Sequence, residues 1–239
     1  MYRYLVFCVL LVNCSQKKNN IEGAYYLVTD TASPAGEVTM RMMREGYWIK
    51  ASYLNSQIRT FTRCSGGTYL VKDGRCLQTK LFDSYEILET TPTDTFEISF
   101  GDAGFKLSNA EASEKYQRPK VDAALTDTTL EGVWQMVTAE WWGTKSSQQD
   151  FTQIKMFVHP CFMWVQYKPE LNEFLGAGGG TYHYDGKQLL ERLEFFSFRA
   201  QEPSDNWIQI RKTAPDQFYQ VNAEGAGKES WQKINPKTK

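Results

Sequence analysis

The sequence predicts an all-β chain, two tandem eight-stranded antiparallel barrels behind an export leader, and three observations carry that prediction. The chain repeats itself at a nearly constant offset. Each repeat is a series of short alternating runs broken by turn residues. The first fourteen residues have the make-up of a signal peptide.

The repeat sets the domain plan. Ile21-Glu22-Gly23-Ala24-Tyr25 returns as Leu130-Glu131-Gly132-Val133-Trp134, and Ser65-Gly66-Gly67-Thr68-Tyr69 returns as Gly178-Gly179-Gly180-Thr181-Tyr182. Phe105 and Asn109-Ala110-Glu111 match Phe218 and Asn222-Ala223-Glu224, and Tyr116-Gln117-Arg118 matches Trp231-Gln232-Lys233. The offset stays between 109 and 115 residues, so the expected units are a first domain over 21–118, a linker over 119–129 and a second domain over 130–236.

Within the second unit eight strands are expected: Val133–Trp141, Gln153–Val158, Cys161–Tyr167, Gly179–Tyr184, Lys187–Phe198, Asn206–Arg211, Phe218–Asn222 and Glu229–Ile234. Eight strands close into a barrel whose interior holds packed side chains or one small ligand, and closure removes sticky edges. A membrane-spanning barrel is disfavoured, because Glu191, Arg192 and Glu194 put charge on both faces of the longest strand.

At the amino terminus, Arg3 precedes an apolar run from Leu5 to Val12 that is too short to cross a bilayer as a stable helix. It ends in Leu11-Val12-Asn13-Cys14, which resembles the lipobox of bacterial lipoproteins, with Asn13 where a small residue is usual. The resemblance implies a signal peptide over 1–13, lipidation of Cys14 and a polar tether over 14–20; a leader that is uncleaved, or cleaved without lipidation, is the alternative. Localisation follows as exported and lipid-anchored to the inner or outer bacterial membrane on the periplasmic side. Twenty-seven basic against twenty-eight acidic side chains, with no basic block, argue against nucleic acid as a partner.

The second unit also carries a family resemblance. Gly132-Val133-Trp134 resembles the Gly-x-Trp opening of lipocalins. Phe162-Met163-Trp164 followed by Gly176 to Tyr182 is similar to a lipocalin-like (calycin) family of Bacteroidetes secreted and membrane proteins. The first unit shows it more weakly, with Gly23-Ala24-Tyr25. Cys161 stands where the pattern often has histidine. The resemblance implies a barrel closed at one end by Trp134 beneath a cation such as Lys233.

Hairpin chemistry gives an expected register. Asp185-Gly186 reads as a two-residue turn that sets Tyr184 against Lys187, Tyr182 against Leu189 and Gly180 against Glu191. Lys72-Asp73-Gly74 reads as a three-residue loop that sets Tyr69 against Leu77 and Leu70 against Cys76. Tyr182, Leu189, Glu191, Leu193 and Phe195 then share one apolar face, the expected lumen. In this register Cys64 and Cys76 are too far apart for a disulfide.

A carboxylate on that face is the sharpest chemical feature, since a buried Glu is paired, protonated or functional. Its counterpart in the first unit is read as Thr79, and that of Trp164 as Lys50. Two readings stay open: Trp164, Tyr182 and Glu191 form a ligand pocket, or Glu191 sits at a wet rim bonded to Tyr182 or a lysine. Which way Trp164 faces is undecided, because Phe162, Trp164 and Gln166 alternate with Met163, Val165 and Tyr167 and neither set is clearly inward.

His159 and His183 lie on different strands without metal-ligand spacing, so no metal or other cofactor is expected. A Cys161–His159 nucleophile lacks support, with Pro160 marking a turn between them. The glycine run leads into a strand and lacks the Gly-Lys-Ser/Thr of a phosphate loop. The expected function is therefore non-enzymatic: a membrane-tethered periplasmic module binding a small apolar or amphipathic molecule. A structural or protein-interaction lipoprotein with filled barrels is the alternative, and carbohydrate stacking on Trp141 and Trp142 a minor branch.

Overall fold

The computed structural model describes residues 20–28, 36–120, 127–223, 225 and 227–234. The leader and the lipidation candidate Cys14 lie outside the described residues, as does most of the linker.

The first half of the chain forms a closed antiparallel barrel of eight strands. They are β1 (Gly23–Val28), β2 (Glu37–Arg44), β3 (Tyr47–Leu54), β4 (Thr60–Lys72), β5 (Arg75–Asp83), β6 (Thr93–Gly101), β7 (Gly104–Ser108) and β8 (Ser113–Gln117). Each pairs with the next, and β1 returns to β8 with Tyr26 opposite Gln117. A 3-10 turn, Thr128–Leu130, leads into nine further strands. These are β9 (Gly132–Trp141), β10 (Thr144–Ser147), β11 (Thr152–Val158), β12 (Cys161–Lys168), β13 (Glu173–Tyr184), β14 (Gln188–Phe196), β15 (Ser204–Ala214), β16 (Gln217–Asn222) and β17 (Gly227–Lys233). From β11 to β17 each strand pairs antiparallel with the next, while β9 pairs with β10, β11 and β17. All eight strands expected here are present, and β10, a short hairpin partner of β9, is the one the sequence reading lacked.

Both expected hairpin registers need correction. Lys72 pairs with Arg75 across a two-residue Asp73-Gly74 turn with φ of 51° and 75°, the primed geometry that suits the twist of a hairpin. Tyr69 therefore faces Gln78, and Cys76 faces Val71. In the second half the loop is longer than expected: Tyr184 pairs with Leu189, and Asp185 Oδ1 accepts the backbone N–H groups of Lys187 and Gln188. Tyr182 thus faces Glu191, a shift of two residues that preserves which side each occupies.

A bulge then changes sides. Gly180 faces Leu193 but Gly179 faces Phe195, so Glu194 is the extra residue and Phe195 points away from Leu189 and Glu191. Gly180 is required there, because a Cβ would lie 2.0 Å from the carbonyl oxygen of Arg192. Gly67 makes the same close approach, 2.0 Å from the Thr79 carbonyl, at the equivalent bulge of the first half.

Three apolar clusters account for the packing. One fills the first barrel with Tyr25, Met43, Trp48, Phe105 and Tyr116, and one fills the second half with Trp134, Phe157, Phe162, Phe218 and Trp231. The third lies between the halves, where Met40, Met42, Ile49 and Ala51 of β2 and β3 meet Ile154, Met156, Met163 and Val165 of β11 and β12, with Phe195 beside them. Burying a methionine is worth about 1.5–3 kcal/mol, so this seam is a core in its own right. Its two ends are pinned by polar contacts. Glu45 accepts the Val133 N–H at 3.0 Å and pairs with Lys233 at 3.5 Å, while Arg59 and Gln201 exchange backbone hydrogen bonds at 2.7 and 3.1 Å. The glycine openings Gly23 and Gly132 consequently lie on the same side of the molecule.

The expected cation over the opening tryptophan is present: Lys233 Nζ sits 5.7 Å from the Trp134 ring and donates to the Glu131 carbonyl. Arg118 repeats this arrangement over Tyr25 at 4.9 Å, donating to the Glu22 carbonyl.

Candidate functional site

In the second half, alternation along β11 sends Gln153, Lys155 and Phe157 inward while Ile154, Met156 and Val158 join the seam. Lys155 is thereby placed among apolar side chains with 3% exposure, and its ammonium must find partners. Nζ lies 3.0 Å from Glu191 Oε1 and 3.4 Å from Gln220 Oε1, and stands 5.1 Å from the Trp231 ring. Gln220 in turn donates to Glu229, whose carboxylate also accepts the indole N–H groups of Trp141 at 2.8 Å and Trp231 at 3.0 Å. Burial pushes the Glu191 carboxyl above its ordinary range, and the adjacent Lys155 only partly offsets that.

Above this polar floor opens a cavity of about 450 Å³. Its aromatic wall is Trp164, Phe196 and Phe198, with Trp164 stacked on Phe198 at 6.3 Å and 22°. Gly176 and Gly178 make room for those rings, since a Cβ would come within 2.4 Å of Phe198 and 2.7 Å of Trp164. Trp141 and Trp142 stand on the β9 side, and the remaining lining is amide-rich, with Gln166, Asn206 and Asn222 and, buried beneath them, Gln153 and Gln220. A hollow of about 510 Å³ runs over β6, β7 and β8, but Ser99, Lys106, Lys115 and Gln117 in its lining are all exposed and it enters neither interior.

The same strand positions are occupied differently in the first barrel. Arg41 takes the place of Lys155, and Gln78, not Thr79, takes that of Glu191, receiving Arg41 Nη2 at 2.6 Å. Glu114 stands where Glu229 does and accepts from Tyr116 at 2.6 Å. Lys50, at the position of Trp164, reaches across to Glu114 in an ion pair. Burial raises the Glu114 carboxyl, but Lys50 together with the Tyr116 hydroxyl and Arg41 outweighs it and holds the group below its ordinary value. Burial lowers Lys50 despite that partner. The remaining space is about 170 Å³, lined by Arg41, Lys50, Arg63 and Lys80 with Asp94 and Glu114.

The three residues singled out from sequence all face the interior of the second half, at three depths. Trp164 lies in the cavity wall. Glu191 lies below it, 5% exposed, paired with Lys155 and away from any wet rim. Tyr182 is deeper, packed edge-on against Phe157 at 5.1 Å, and its hydroxyl has no hydrogen-bond partner among the described residues. The cavity thus gathers Trp164 but neither Tyr182 nor Glu191.

No protein-family model matches this chain, and no curated protein matches it.

Sequence reasoning passed over Lys155, Gln220 and Glu229, although one signal marked Lys155 and another Glu229. A lone basic residue interrupts an apolar run in both halves, as Met40-Arg41-Met42 and Ile154-Lys155-Met156. Both final strands also carry a glutamate two residues before the closing aromatic, Glu114-Lys115-Tyr116 and Glu229-Ser230-Trp231. Elsewhere Cys64, Cys76 and Cys161 are free thiols. Cys64 belongs to the seam and Cys76 to the first interior, so their separation matches expectation on a corrected register. Cys161 is buried in the seam, with its thiol pushed up to about 12 chiefly by burial. Among the described residues no group of three or more His, Cys, Asp or Glu side chains is placed to hold a metal ion.

Proposed function

We propose that the chain is a lipid-anchored, exported pair of tandem lipocalin-like barrels that binds a small amphipathic molecule at the mouth of the second barrel and acts by binding, not catalysis. One observation carries the reading: the second mouth is an aromatic and amide-lined cavity of about 450 Å³, whereas the first is narrowed to about 170 Å³ by the Lys50–Glu114 pair. Concave sites of that size, mostly apolar with a few placed polar groups, are the usual form of small-molecule pockets. The buried Cys161 thiol, held protonated, favours binding over a nucleophilic role.

The test is a thermal-shift screen of small amphipathic metabolites on the full chain. A true ligand stabilises the fold by about 2.7 kcal/mol at a hundredfold excess over Kd. Trp164→Ala is expected to abolish the shift, and a shift that survives it removes the site from this mouth.

The anchor bears on geometry. Ile21 enters the fold at the end where Glu22 and Gly132 lie against Glu45, whereas the cavity is lined from the other end of β9 by Trp141; Ser15 to Asn20 reach at most roughly 20 Å, so an anchor at Cys14 would keep the glycine-opening end within that distance of the membrane. Labelling cells with a fatty-acid analogue should tag the native chain and not Cys14→Ala; equal labelling of the two rejects the anchor.

A further inference from the structure

We propose that the cavity of the second half takes a neutral, hydroxyl-rich ring, a sugar or sugar-like headgroup, and not a fatty acid or other anionic amphiphile. The proposal rests on the small-molecule reading above and narrows its ligand class.

The lining contains no Lys, Arg or His. Lys155 lies in the floor and is committed to Glu191 and Gln220, and Arg199 lies outside the lining, its guanidinium 5.9 Å over the Phe196 ring and its Nε donating to Gln201, so a carboxylate or phosphate inside the cavity meets no cation of its lining. Glu229, the one charged group in the lining, already accepts three N–H donors and repels a second anion. An acyl tail fares no better. To enter the barrel interior it must displace the Lys155–Glu191 pair, leaving two buried charges unpaired.

What the cavity does offer matches a sugar. Each amide presents both a donor and an acceptor, as each hydroxyl does. Gln166 Nε2 donates to Gln153 Oε1 at 3.1 Å, which leaves Gln166 Oε1 and Gln153 Nε2 without a protein partner among the described residues. Beside these amides stand aromatic faces in water: Phe198 is 58% exposed and Trp142 is 82% exposed. Rings of this kind cover the apolar C–H face of a pyranose while its hydroxyl edge meets the amides.

Trp142 supplies an independent pointer. It occupies the first position of the Trp142-Gly143 hairpin turn at φ 49°, a left-handed conformation that favours Asn, Asp or Gly and costs a bulky residue about 1–2 kcal/mol. A large apolar side chain that is both strained and solvent-exposed gains the fold nothing; at the lip of an aromatic cavity it is a stacking platform.

The test uses the full chain, with N-acetylglucosamine, galactose, maltose and cellobiose as neutral probes and sodium decanoate as the anionic amphiphile. It is followed by calorimetry and by the indole N–H resonances of Trp142 and Trp164. At least one sugar is expected to bind saturably and shift both indoles, with no competition from decanoate. Trp142→Ala, at an exposed turn where folding is not at stake, and Gln166→Leu are each expected to weaken that sugar about tenfold. Trp207→Ala, on the outer face of β15, leaves it unchanged. Decanoate binding that shifts the two indoles while no sugar binds overturns the ligand class and leaves the site standing. Sugar binding indifferent to Trp142→Ala and Gln166→Leu overturns the assignment to this cavity. If neither class moves either indole, both the ligand class and the binding site fall together.

Discussion

Lys155→Met is expected to destabilise the chain by about 3–5 kcal/mol, whereas Lys155→Met combined with Glu191→Leu returns it to within about 1 kcal/mol of the native protein or above it. The two side chains are 3% and 5% exposed, and each is the other's direct charge partner at 3.0 Å. Removing one leaves a dry, uncompensated charge. Removing both leaves an apolar column continuous with Phe157, Phe162 and Trp231. Denaturant unfolding of the two single variants and the double closes the cycle, and the coupling energy is the quantity of interest. A loss below about 1 kcal/mol for Lys155→Met would mean that water reaches the pair.

The same variant carries a pH signature. Burial raises the folded carboxyl of Glu191. Its contribution to stability is therefore fully present below the unfolded value of about 4.3, and is lost as pH rises through the raised folded value. Without Lys155 nothing opposes the burial, so Lys155→Met should lose more stability than the native chain on going from about pH 5 to neutrality. Glu114 runs the other way. Its folded value is depressed, so its stabilisation is present above the unfolded value and fades as pH falls. Because Glu114 is common to both proteins it cancels in the comparison, and the difference slope isolates Glu191.

Why the interior of the second half was only partly legible in sequence follows from particular residues. The repeat and the strand pattern were readable because every strand is short and turn-bounded, and the inward facing of Tyr182 and Glu191 survived a register error of two because side chains alternate with period two. Phe195 was misplaced because the bulge at Glu194 inserts one residue, and the only trace of it is the glycine that permits the close approach. The facing of Trp164 was undecidable for a different reason. On β12, Phe162 and Trp164 fill the interior while Met163, Val165 and Tyr167 pack on the other half, so both faces are apolar and no inward signal exists. The same two-sided burial hid Lys155, a cation that alternation along β11 places opposite the seam. The cavity itself was beyond reach, being assembled from seven strands and two loops whose side chains converge only in the folded sheet.

That seam between the halves makes the last prediction. Met156→Asp is expected to cost about 4 kcal/mol or more, because a carboxylate would be buried among Met40, Met42, Met163 and Val165, where no side chain offers a charge or a hydrogen bond. Val137→Asp, on the outer face of β9 at 39% exposure, should cost less than about 1 kcal/mol and serves as the matched control. A wider consequence follows from the area involved. Strands β2, β3, β11 and β12 are each buried on both faces, so neither half completes its core without the other. The native chain should then unfold in one cooperative transition, with calorimetric and van't Hoff enthalpies equal, despite its internal repeat. Two resolved transitions, or a Met156→Asp variant as stable as Val137→Asp, would show the seam to be a contact between independent units. The same seam also lies directly behind the proposed site. The cavity wall at Trp164 and the seam at Met163 and Val165 are opposite faces of one strand, so the first barrel holds that wall rigid from behind.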